Sequence, residues 1–111
     1  MVNTEVKAIK NPVMTLITKA QLKKLNEVSH ENMKPIVKLF GGPLTWLVTS
    51  IDDDVLYGYG DLSQGCVEWG ALCHISELPT MRTGFSFLER DRYFTPKPGV
   101  KYLEMETLSG I

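Results

Sequence analysis

Four acids in the second half of the chain, Glu68, Glu77, Glu89 and Asp91, could supply paired carboxylates for acid–base chemistry. Such pairs act only when two acids converge in a cleft that moves their pKa values apart. Glu68 with Arg90 and Asp91 is the set read here as a candidate cleft; the bland reading is that Arg90 and Asp91 form a structural ion pair or cap a turn. Cys66, Cys73, His74 and His30 invite a zinc or thiolate reading. Structural zinc wants short paired spacings plus two further ligands, and this cysteine pair does not have them. Cys73 and His74 are neighbours that point to opposite faces of an extended strand, so they cannot act as a nucleophile–base pair. Cys66 with His30 is geometrically open but nothing local supports it. Asp52-Asp53-Asp54 lacks the alternating ligands, central glycine and closing glutamate of a calcium loop, and reads as a solvated turn. There is no phosphate loop and no dinucleotide fingerprint. No cofactor, metal site or catalytic residue is expected.

Composition narrows the partners. The 111 residues are 43% apolar and 23% charged with a net charge of −1, the profile of one globular domain with no global field for nucleic acid or membrane. The charge is uneven. Residues 1–40 hold seven lysines against three glutamates, whereas residues 41–75 hold five acids and no Lys or Arg. These read as solvated faces of opposite sign, with a basic docking face as the alternative. Eight aromatics, among them Trp46, Tyr57, Tyr59 and Trp69, could stack on single-stranded nucleic acid, but that needs a basic groove and the central strands are acidic. Nucleic-acid binding is therefore not the leading expectation. No apolar run approaches the ~20 residues of a membrane span. The first residues lack the apolar stretch of a secretory signal, and the two cysteines read as reduced, buried thiols of a cytoplasmic protein.

The elements that must position these groups follow from local chemistry. Thr18 to Val28 reads as a helix: Thr18 with Gln21 fits a capping box, Ile17 and Leu22 a hydrophobic staple, and Leu22, Leu25 and Val28 an apolar stripe. Ile36–Phe40 and Thr45–Ile51 flank Gly41-Gly42-Pro43 and read as a hairpin. Val55–Gly60 is the third strand, with Tyr57 and Tyr59 on one face and glycines on the other that mark a bulge or the close approach of another segment. Cys66–His74 is the fourth. Ser76 is a candidate N-cap of a short helix over residues 76–82. Phe85–Leu88 and Arg92–Thr95 read as short β pieces, and Val100–Leu108 is open between strand and helix. Residues 1–13 read as a flexible extension before a single domain over 14–111.

Val37-Lys-Leu-Phe40, Thr45-Trp46, Tyr57-Gly58 with Asp61, Glu68-Trp-Gly70, Ser76-Glu-Leu78 and Glu89-Arg-Asp-Arg-Tyr-Phe94 occur in this order. Together with Leu16-Ile-Thr-Lys, this pattern over residues 14–98 resembles a small bacterial family, domain of unknown function 2958. The resemblance implies a cytoplasmic α+β domain carried by plasmids, phages and conjugative elements. It brings no activity and no site residues.

The expected fold is α+β: a curved antiparallel β-meander of about four to six strands, an N-terminal helix packed on it, and a second short helix. The leading functional expectation is a non-enzymatic protein-binding accessory module that engages a host or element-encoded protein. The alternatives are a small enzyme with a Glu/Asp/Arg cleft and nucleic-acid binding through the Lys-rich helix. Trp46, Glu68, Arg90 and Asp91 are the candidate binding residues. Trp46 is also expected to be largely buried with its indole N–H satisfied, because a mid-strand indole dominates a small core.

Overall fold

Thr18 opens the first helix, α1 (Lys19–Glu27), with both halves of the capping box in place. The Gln21 main-chain N–H donates to Thr18 Oγ1 at 3.0 Å, and the Thr18 N–H donates to Gln21 Oε1 at 2.9 Å. Two of the otherwise orphaned helix donors are thereby satisfied. Thr18→Ala should lower the free energy of unfolding by about 1 kcal/mol, read from the denaturant midpoint; an unchanged midpoint would show that packing alone holds the helix start.

The computed structural model describes residues 16–42, 44–61, 65–80, 82–83, 86–108 and 110–111. Four strands form a meander: β1 (Val37–Gly41), β2 (Leu44–Asp52), β3 (Val55–Asp61) and β4 (Glu68–His74). Short two-residue pieces follow: β5 (Arg82–Thr83), β6 (Ser86–Phe87) and β7 (Glu89–Arg90). β7 joins the meander, giving an open five-stranded sheet in the order β4-β3-β2-β1-β7, while β5 and β6 pair separately. All pairings are antiparallel.

The expected hairpin is present, with Val37 opposite Val48 and Gly41 opposite Leu44. The β2–β3 turn places Asp53 and Asp54 at φ 52° and 64°. Two left-handed residues match the twist of the flanking strands, and Asp tolerates that conformation by bonding its own backbone. Between Val48 and Ser50 the register of β2 on β3 shifts. Gly58 faces this bulge: a Cβ there would lie 2.1 Å from the Leu47 carbonyl oxygen. The glycine signal in the sequence thus marked a real close approach.

Alternation along β2 serves two cores. Trp46 and Val48 point to the α1 side and pack with Ile17, Leu25, Leu39 and Leu56. Leu47 points to the other side and packs with Tyr59, Val67, Tyr102 and Leu108. The second face is covered by the irregular segment after Phe94 rather than by a helix. That segment is latched by Asp61, only 2% exposed, whose Oδ2 accepts from the Leu108 main-chain N–H and from Thr107 Oγ1. A buried carboxylate with such donors is the usual resolution of a charge in a core.

Several expected elements differ. The short helix expected over residues 76–82 is a 3₁₀ turn, Ile75–Thr80. Ser76 does not cap it; its main-chain N–H and hydroxyl both meet His74 Nδ1. Residues 92–95 form no strand, because Asp91 organises a turn there: Asp91 Oδ1 accepts from the Tyr93 N–H and its carbonyl from the Phe94 N–H. Val100–Leu108 is neither strand nor helix but irregular chain around one 3₁₀ turn, Tyr102–Glu104. Cys66 lies before β4 and is exposed, and Cys73 is half-buried, so the buried-thiol expectation fails for Cys66. The extension read over residues 1–13 and the turn read over Ser63-Gln64 lie outside the described residues.

Candidate functional site

The cross-strand registers place the candidate residues on one line. Arg90 opposes Leu39, Leu39 opposes Trp46, Trp46 opposes Gly60, and Gly60 opposes Glu68. Directly opposed residues share a face, so Arg90 and Glu68 lie on the α1 side at the two ends of one row. Four inter-strand steps separate them, about 19 Å at the usual strand spacing. The sheet therefore does not bring Glu68 and Arg90 into a common cleft.

Asp91 is engaged elsewhere. Its carboxylate lies 3.4 Å from Lys38 Nζ, and its main-chain N–H donates to the Lys38 carbonyl. Lys38 Nζ also donates to the Ile111 main-chain oxygen at 2.6 Å. This network ties the β7 edge to the end of the described chain, which is the structural reading of Asp91.

The opposite edge is of another kind. Among the described residues no strand pairs with the outer side of β4. Natural sheets protect edges with short strands, Lys, Pro or charge. β7 is only two residues long and carries Glu89 and Arg90. β4 is seven residues long, holds no Lys, Arg or Pro, and has charge-bearing types only at its ends, Glu68 and His74. A register shift between Leu56 and Tyr57 breaks its ladder with β3. Beside this edge lies a hollow of about 320 Å³ lined by Trp46, Gly60, Glu68, Trp69, Gly70 and Leu72, among others. Its floor exists because Gly60 has no side chain; a Cβ there would meet Leu72 and the Trp46 ring at 3.5–3.7 Å.

Trp46 is 8% exposed and belongs to the core on the α1 side. Its indole N–H, expected to be satisfied, has no acceptor among the described residues, and its ring borders the hollow. On the far face of β4, Trp69 Nε1 donates to Thr49 Oγ1 at 3.0 Å, and the Trp69 ring stacks on Tyr57 with centroids 5.9 Å apart. The strand is thus held rigidly by side chains while its outer backbone stays open. At its C-terminal end the His74 N–H donates to Glu77 Oε1 at 2.8 Å.

The two thiols have distinct chemistry. Burial, with the nearby Glu77 charge second, pushes the Cys73 thiol up to about 11, which suppresses its thiolate at neutral pH. A group raised in the folded state contributes stability below its unfolded pKa that is lost as pH rises through the folded value. The Cys73 contribution should therefore fade between about pH 9 and pH 11. A maleimide at pH 8 should label Cys66 rapidly and Cys73 slowly; mass spectrometry showing equal rates would contradict the placement of Cys73. Among the described residues no three His, Cys, Asp or Glu side chains converge as a metal site.

Sequence reading singled out Trp46 and Glu68 but missed Gly60, Gly70 and Leu72, which complete the hollow. The available signal was the glycine alternation of β3, which leaves room beside an indole two strands from the edge.

The family description "Protein of unknown function (DUF2958)" matches residues 9–110. The chain belongs to this family. The DUF2958 match covers the whole described sheet and begins inside the segment read as an extension. No curated protein and no solved structure matches the chain. No helix among the described residues is long and apolar enough to cross a membrane.

Proposed function

We propose that this DUF2958 chain is a non-enzymatic binding module that takes an extended segment of a partner protein onto the free edge of β4. The observation that carries the reading is the contrast between the two sheet edges: β7 is short and charged, whereas β4 is long and bears no protecting residue in its interior. In strand addition the main-chain hydrogen bonds give affinity and pockets for alternate side chains give specificity. The hollow beside Trp46 and Gly70 is such a pocket, with Glu68 at its rim to select a basic or hydrogen-bonding residue. The separation of Glu68 from Arg90 across the sheet favours this reading over a shared catalytic cleft. The family resemblance adds the proposed setting, an accessory protein of a plasmid, phage or conjugative element acting in the cytoplasm on a host or element-encoded protein.

A displayed library of random peptides selected on the full chain tests the reading. Selected peptides should bind in extended form and lose binding in Gly70→Pro, with Ala71→Lys as a second variant that keeps every backbone group. Peptides that bind both folded variants as well as the parent would remove β4 as the site. A concentration-dependent dimer blocked by the same variants would assign the edge to a second copy instead.

A further inference from the structure

A larger cleft lies away from β4, where the loop after α1 meets the Pro96–Tyr102 segment; its volume is about 550 Å³. That volume falls within the range of small-molecule sites. Its apolar lining includes Met33, Pro35, Pro98 and Val100, and Met33 stays 40% exposed. Three lysines from three separate segments, Lys24, Lys34 and Lys97, line the same cleft, and among the described residues no acidic one does. None of the three forms an ion pair among the described residues, whereas Lys23 pairs with Glu27 and Lys38 with Asp91.

The polar groups of the loop after α1 are already committed to the sheet and to one another. Tyr59 Oη donates to the Met33 carbonyl at 2.8 Å. Asn32 Nδ2 donates to the carbonyls of Lys34 and Thr49, and Asn32 Oδ1 accepts from the Lys34 N–H. Ser50 Oγ holds the His30 carbonyl at 3.0 Å. The loop is therefore bolted to the sheet, and its main chain offers a ligand few free acceptors. What remains for an incoming group is apolar surface, the Tyr102 hydroxyl and ammonium donors. Lys24 sits in the last turn of α1, where the helix terminus already favours a cation. Lys34 and Lys97 have no such partner.

We propose that this cleft binds an amphipathic organic anion: an alkyl or aryl body against Met33, Pro98 and Val100, with a carboxylate or phosphate head on Lys34 and Lys97. Lysine serves such heads as a point charge without demanding a planar bidentate partner. Residues 1–15 carry Lys7 and Lys10 against Glu5, so this part of the chain lacks the complementary charge.

The test is an amide NMR titration of the full chain with octanoate, octyl phosphate and octanol. Both anions should move the amides of residues 32–34, 36, 97 and 99–102, and octanol should bind at least about tenfold more weakly. The stronger of the two anions identifies the head group. Lys34→Glu combined with Lys97→Glu should weaken the anions at least about tenfold without changing the melting temperature; Lys34→Gln with Lys97→Gln serves if the first pair unfolds. Octanol binding as tightly as octanoate, shifts confined to other residues, or no shift at about 10 mM ligand would overturn the proposal. An acidic peptide that moves these amides where octanoate does not would assign the cleft to a protein partner.

Discussion

Trp46→Ala is expected to lower the free energy of unfolding by about 3–5 kcal/mol, out of the roughly 5–15 kcal/mol a domain of this size has. The indole is 8% exposed and stands in the middle of β2, flanked by Leu39 on β1 and Gly60 on β3. Removing it deletes the largest side chain of the core on the α1 side, which it shares with Leu25, Leu39 and Leu56. It also opens the hollow beside β4, so the space cannot close by local collapse. Urea titration measures the loss. A variant of near-parental stability that fails to bind selected peptides would instead make Trp46 a contact residue rather than a core residue.

Gly58→Ala is the second large effect, and it comes from backbone rather than from burial. The added methyl would sit 2.1 Å from the Leu47 carbonyl oxygen and 2.8 Å from Val48 Cα. The main chain of Leu47 and Val48 cannot rotate away as a flexible side chain would. The β2 bulge must move, with a loss of about 1–3 kcal/mol or more. Gly70→Ala is the internal control, because nothing lies within 4 Å of its added Cβ. It should stay within about 0.5 kcal/mol of the parent. Equal midpoints for the two variants would show that the bulge is not packed against Gly58.

Much of this was legible from neighbouring residues. Thr18 with Gln21 names a helix start, Gly41 to Pro43 names a reversal, and three aspartates name a turn, because each rests on contacts a few residues apart. The glycines of β3 announced a close approach without saying which strand approached. The C-terminal third was not legible for the opposite reason. Its order depends on groups 46, 47 and 73 residues apart: Thr107 and Leu108 on Asp61, and Ile111 on Lys38. Pro96, Pro98 and Gly99 suppress any local period, so neither strand nor helix could be favoured over Val100–Leu108. Arg92 to Thr95 carries β-type residues, yet Asp91 bonds the main chain into a turn before a strand can run. The candidate site was half legible. Trp46 and Glu68 do meet at one hollow, but Arg90 reaches the opposite edge through β7, a pairing that only tertiary structure specifies.

Hydrogen–deuterium exchange reads out the proposed strand-receiving edge of β4 amide by amide. In the free chain, outward amides of residues 68–74 should exchange quickly while those at the centre of β2 stay protected. With a selected peptide bound, protection should rise along β4 and nowhere else in the sheet. Slow exchange of β4 in the free chain, or protection that appears at β7 instead, would rule out strand addition at β4.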